Sequence, residues 1–108
     1  MNETARNYAQ LFKALSDPNR LSIVEMLSCG ELCACVILEK LRITQPTLSH
    51  HMRSLCNSGL VNGRRAGKWT YYTLDEGALQ DVRAFWEGIA VLDNNLTGNE
   101  MTCGKDCC

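Results

Sequence analysis

The chain has two prolines, Pro18 and Pro46, and each falls where a new run of helical periodicity begins. Proline suits the first turn of a helix, where its missing amide hydrogen would have had no partner, and glycine accepts the backbone angles that end one. With Gly30 and Gly59 these breaks restrict the chain to several short helices packed on one another. Tyr8, Leu11, Phe12 and Leu15 predict a first amphipathic helix of about four turns. Ser16 or Asp17 ends it and caps a second, with Leu21, Ile23, Val24 and Leu27 as the inward stripe and Gly30 as its C-terminal cap. A short third helix is expected from Glu31 to Leu41, burying Leu32, Val36, Leu38 and Leu41.

The stretch "RITQPTLSHHMRSLCNSGLV" reads as a fourth helix capped by Thr44 and stopped by Gly59. Leu48, Met52 and Leu55 lie at i, i+4 and i+7 and point inward, which leaves Thr47, Ser49, His50, His51 and Arg53 toward solvent. "LVNGRR" and "KWTYYTL" then read as two strands turning about Ala66-Gly67. A last helix from Glu76 to Leu92 carries Leu79, Val82, Phe85, Trp86, Ile89 and Leu92, an apolar face wide enough to need a partner. From Asp93 the periodicity is lost. The expected organisation is one mainly α domain with a small β-hairpin over residues 1–93, followed by a flexible cysteine-rich tail over residues 94–108.

Net charge is −1, but the charges are segregated. Residues 40–74 hold Lys40, Arg42, Arg53, Arg64, Arg65 and Lys68 and no acid, between two acidic flanks. Two short helices joined by "RIT", followed by a basic hairpin, match a helix-turn-helix with a wing, in which the second helix enters the DNA major groove. Gln45, Thr47, Ser49 and His50 are the candidate base readers, and Arg53, Arg64, Arg65 and Lys68 the candidate phosphate contacts. The plain alternative is a solvated basic surface on a helical domain; helix spacing, capping and the adjoining hairpin favour DNA.

No run approaches the roughly 18 apolar residues of a membrane span, and the N-terminus lacks the order of a secretory signal, so a cytoplasmic, non-membrane protein is expected. In a reducing cytosol seven cysteines point to metal ligation or redox chemistry rather than to disulfides. Cys33 and Cys35 lie two residues apart in "ELCAC", about 200° apart if both are helical, so both thiols reach one ion only if the first turn of the third helix unwinds. Thiolates favour soft ions over Mg²⁺ or Ca²⁺. Cys103, Cys107 and Cys108 in "CGKDCC" can close on an ion by themselves or lend a sulfur to Cys33 and Cys35. Cys29 and Cys56 are expected to pack in the core.

"LFKALSDPNRLSIVEML", "ELCAC", "ITQPTLSHHMRSLCNSGLV" and "GRRAGKWTYYTL" together resemble the ArsR/SmtB winged-helix metalloregulators, in particular the arsenic-responsive repressors. The resemblance implies a homodimer through the first and last helices, bound to double-stranded operator DNA when ion-free and leaving it when As(III) or Sb(III) binds. It also implies a ligand trio, E-L-C-x-C and a third cysteine three residues on. Cys33 and Cys35 match, but the third position here is Leu38. A response to Cd(II), Pb(II) or Zn(II), or to thiol oxidation, is the alternative within this fold. A thiol oxidoreductase is disfavoured: the chain has no C-x-x-C in a βαβ setting and no phosphate-binding glycine loop.

Overall fold

The computed structural model describes residues 2–89, with side chains from residue 5 onward. The elements are α1 (Asn2–Leu15), α2 (Pro18–Leu27), β1 (Leu32–Cys33), α3 (Ala34–Leu41), α4 (Gln45–Asn57), β2 (Val61–Ala66), β3 (Trp69–Leu74) and α5 (Glu76–Ile89). The strands form one antiparallel sheet in the order β1-β3-β2. This is the mainly helical winged helix-turn-helix expected. Leu92 and the tail cysteines lie outside the described residues.

Two side-chain caps set the starts of the helices that matter most. Asp17 accepts a hydrogen bond from the Arg20 amide at 3.1 Å and opens α2. That amide, with a smaller contribution from His51, holds the Asp17 carboxyl below the usual carboxylate range. Thr44 accepts from the Thr47 amide at 3.3 Å and opens α4, with Pro46 in the first turn. Between α3 and α4 the chain reverses at Arg42, a non-glycine residue in the left-handed region with φ 57°.

The third helix is shorter than the sequence predicts. Leu32 and Cys33 pair with Tyr72 and Tyr71 of β3, so these residues are extended and helix begins only at Ala34. The shifted start moves Ile37, absent from the expected inner set, into full burial, while Leu32, Val36, Leu38 and Leu41 are half-buried. Leu21 is likewise corrected: it sits two residues from the fully buried Ile23, so the helix turns it the other way, and it is 51% exposed. Gly30 lies beyond α2, whose C-cap is Ser28, and with φ +132° it swings the chain into β1. Cys29 is exposed rather than packed, and Cys56 is half-buried against the core.

The core gathers α1, α2, α3, α4 and the start of β2 around Ile23, Ile37, Leu55, Leu60 and Val61. Leu48 and Met52 face it from α4, as their spacing predicts. The hairpin reverses through Gly67-Lys68, one residue later than expected, with Gly67 at φ +66° as tight hairpin loops require. Tyr8 and Phe12 of α1 stack against Phe85 of α5 at 4.6 and 5.4 Å between ring centroids, while Trp86 and Ile89 remain more than half exposed on the same helix.

Truncating Ile37 leaves a sealed void, so Ile37→Ala is expected to cost about 2–5 kcal/mol. Loss of the α4 cap in Thr44→Ala is expected to cost about 1 kcal/mol. Urea unfolding followed by circular dichroism ranks the two, and equal losses would contradict this assignment of the core.

Candidate DNA-reading surface and thiol site

The amphipathic turn of α4 that buries Leu48, Met52 and Leu55 leaves Gln45, Thr47, Ser49, His50 and Arg53 exposed on its outer face. Thr47 is oriented by its neighbour, since the Thr44 hydroxyl donates to its oxygen at 2.8 Å. Arg64, Arg65 and Lys68 are exposed on the hairpin. All the candidate base readers and phosphate contacts are therefore open to solvent, on one helix and the adjoining wing.

His51 departs from expectation. It is 7% exposed rather than solvent-facing, lodged against the first turn of α2. Its Nδ1 lies 3.4 Å from Arg20 Nη1 and 3.8 Å from Asp17 Oδ2, and its Nε2 is 3.5 Å from Asn19 Nδ2. Arg20 is anchored in turn by donating through Nε to the Ala14 carbonyl at 2.6 Å. Buried polar groups are costly without partners, so this network fixes how α4 sits on α2. The clue in the sequence is that His51 neighbours the inward Met52, on the flank of the apolar stripe.

Two of the wing's cations are held in place. Arg64 donates to the Glu31 carboxylate through Nε at 2.8 Å and Nη2 at 3.0 Å, a bidentate pair, and its guanidinium lies 4.8 Å over the Tyr71 ring. The pair holds Glu31 below its ordinary range and raises Arg64. Lys68 lies 5.5 Å from the centroid of Trp69. Nothing in the sequence pattern singles out Glu31, because its partner is 33 positions away.

Cys33 and Cys35 do not diverge. Cys33 has extended backbone at φ −77° and ψ 147°, capping α3 from outside the helix, so the expected 200° separation does not apply. The Cys35 thiol donates to Cys33 Sγ at 3.0 Å. That contact, aided by the first-turn amides of α3, lowers the Cys33 thiol below its ordinary pKa and raises Cys35 by the same interaction. Burial pushes the Cys56 thiol up. Among the described residues no cluster of three His, Cys, Asp or Glu forms; Cys103, Cys107 and Cys108 lie beyond them.

A cleft of about 250 Å³ opens beside the two sulfurs. Leu38 of α3, Gln45 and Leu48 of α4, and Lys68, Trp69 and Thr70 from the tip of the hairpin line it. The thiols thus share one hollow with the first turn of the candidate reading helix and with the wing.

The description "Bacterial regulatory protein, arsR family" matches residues 17–63, from the cap of α2 into β2. Over 100 residues the chain is 40% identical to an arsenical resistance operon repressor of Staphylococcus xylosus, covering 93% of this chain and 96% of that protein. The chain belongs to the arsR family of bacterial regulatory proteins. As an arsR-family protein it is a DNA-binding transcriptional regulator and not an enzyme. It is also 45% identical over 69 residues to a cadmium resistance transcriptional regulatory protein CadC homolog of Staphylococcus aureus, spanning 63% of this chain and 57% of that protein. The solved transcriptional repressor BigR from Xylella fastidiosa superposes with a TM-score of 0.65 at 35% identity, over 85% of this chain and 95% of that one.

The thiolate is the reactive form of cysteine. In this arsR-family chain Cys33 is therefore expected to alkylate with iodoacetamide well before Cys56 at neutral pH, and Cys35→Ala, which removes the donor, to move the Cys33 midpoint to higher pH. Peptide mapping by mass spectrometry across a pH series checks both. An unmoved midpoint would show that the sulfur contact does not stabilise the anion.

Proposed function

We propose that this chain is a cytoplasmic, metalloid-responsive repressor: an apo homodimer that occupies operator DNA and leaves it when As(III) or Sb(III) is captured by Cys33 and Cys35. One sulfur of Cys103, Cys107 or Cys108 completes a three-thiolate shell, within one subunit or across the dimer. The observation that carries this reading is the 3.0 Å approach of the two sulfurs at the junction of the sheet and α3. One small soft ion can bridge thiols so close, and soft thiolate donors select thiophilic ions. The relative from Staphylococcus xylosus, named for arsenical resistance, supports arsenic as inducer.

Gln45, Thr47, Ser49 and His50 read base edges in the major groove, while Arg53, Arg64, Arg65 and Lys68 neutralise phosphates. Dimerisation uses the aromatic seam of α1 and α5, which covers Trp86 and Ile89. The ion acts through two short paths. Cys33 is in register with Tyr71 of β3, which faces Arg64 of β2, so a pull on β1 reaches the wing. Gln45 and Leu48 of α4 border the cleft directly. An effector shifts such an equilibrium only by its differential affinity for the two states, and coupling of roughly 1–3 kcal/mol lowers DNA affinity about 5- to 150-fold.

The similarity to a cadmium resistance regulator favours a second reading, in which Cd(II), Pb(II) or Zn(II) is the inducer at the same thiols. A gel shift on DNA from upstream of this gene, titrated with As(III), Cd(II) and Zn(II), separates the two. Release by As(III) at the lowest concentration is expected, lost in Cys33→Ser and in Cys35→Ser; normal release in both variants would overturn the assignment. Arg64→Ala with Arg65→Ala is expected to reduce the slope of log affinity against log salt by roughly one for each phosphate no longer neutralised. An unchanged slope would count against a wing that grips the DNA backbone.

A further inference from the structure

The thiol cleft borders the first turn of α4, and a second cleft, of about 360 Å³, lies at its other end. Gln10 and Lys13 of α1, Arg20 of α2, and Ser54, Asn57 and Ser58 from the end of α4 and its cap line it; no acid is among its lining residues. Arg20 is held in place, since Nε donates to the Ala14 carbonyl at 2.6 Å and Nη1 lies 3.4 Å from His51 Nδ1, while Nη2 has no partner among the described residues. Lys13 is exposed. It lies about 100° round α1 from Phe12, off the aromatic seam with α5, so a dimer joined through that seam leaves the cleft open.

Helix geometry places this cleft at the edge of the candidate reading face. Asn57 falls within about 20° of His50 and about 40° of Arg53, on the outward stripe of α4. Ser54 and Ser58 instead fall within about 60° and about 20° of His51, which packs on α2. The last turn of a helix presents carbonyls that repel an anion unless cations stand beside them. Lys13 and Arg20 are those cations, and the Ser58 hydroxyl occupies one such acceptor by donating to the Leu55 carbonyl at 2.8 Å. At the first turn of α4, Lys68 of the hairpin stands beside Gln45. Cations thus bracket both ends of a helix of 13 residues, about 20 Å long.

We propose that the cleft between α1, α2 and the end of α4 binds a phosphate of the operator backbone, held by Lys13 and Arg20 with Asn57 donating through its side-chain amide. The inference rests on the reading of α4 as the helix that enters the major groove. That groove is about 12 Å wide, so a helix of about 20 Å entering at an angle meets both of its phosphate walls. The wing cations serve one wall. Lys13 and Arg20 serve the other, once in each subunit, and such a contact sets the position of α4 without reading sequence.

The test compares the full-length chain with its Lys13→Ala and Lys13→Arg variants, on DNA from upstream of this gene and on an unrelated duplex of equal length, by fluorescence anisotropy across a salt series. Arg20 is left intact because it also anchors His51. Lys13→Ala is expected to make the slope of log affinity against log salt shallower by roughly one for each bound subunit, and to weaken binding about fivefold per contact at about 0.15 M salt. The loss is expected to be equal on both duplexes, and Lys13→Arg to restore the slope. Phosphate-ethylation interference locates the contact: one backbone phosphate in each half-site whose ethylation blocks the unaltered chain is expected to have no effect on Lys13→Ala. An unchanged slope, a loss confined to the upstream DNA, or the same ethylation pattern in both proteins would overturn the proposal while leaving the wing contacts standing. If Arg64→Ala with Arg65→Ala also leaves the slope unchanged, the placement of α4 and the wing on DNA fails as well.

Discussion

Two backbone pairings, Leu32 with Tyr72 and Cys33 with Tyr71, decide the geometry on which the rest of the molecule depends. They hold Cys33 in an extended conformation and delay α3 by one turn relative to its apolar pattern. Had the helix begun at Glu31, the two thiols would lie on different faces. Because it begins at Ala34, Cys33 caps the helix from outside while Cys35 sits in its first turn, and the sulfurs converge. The same pairings tie the thiols to the wing, since the strand that carries Cys33 is one edge of the sheet whose other edge carries Arg64 and Arg65. One short strand thus makes the thiol pair and connects it to the wing.

Charge placement supports the same division of labour. The acid-free block from Lys40 to Leu74 supplies α4 and the hairpin, so cations are concentrated in this part of the chain although the whole chain is nearly neutral. Within that surface the bidentate pair between Arg64 and Glu31 is a bridge between the segment leading into the thiols and the wing. An exposed ion pair of this kind adds little stability. Its consequence is geometric, because it fixes the direction of a guanidinium that sits next to the residue paired with Cys33.

Local rules account for much of the fold. Thr44, Asp17, Pro18 and Pro46 mark helix starts that the structure reproduces, and the spacing of Leu48, Met52 and Leu55 gives the buried face of α4. The rules falter where a long-range contact overrides them. Nothing local in "ELCAC" announces that Leu32 and Cys33 will join a strand some forty residues away, so the apolar pattern makes the third helix too long and leaves Ile37 out of the core. Periodicity puts His51 in solvent because its partners, Asp17, Asn19 and Arg20, belong to another helix and its cap. The cysteines and the basic residues of the site are legible as residue types. Their convergence, and the cleft formed with Leu38, Leu48 and Trp69, come only from the packed tertiary arrangement.

Ion capture at Cys33 and Cys35 and the grip on DNA share one coupling free energy in this mechanism, and such coupling is reciprocal. The direct measurement is the affinity of the full-length chain for arsenite with and without saturating operator DNA, set beside its affinity for that DNA with and without arsenite. The expected result is that DNA weakens arsenite binding by the same factor by which arsenite weakens DNA binding, a factor of at least about five. Arsenite binding that is unchanged by DNA would contradict the mechanism, because the thiols would then bind their ion without reference to the surface that reads the operator.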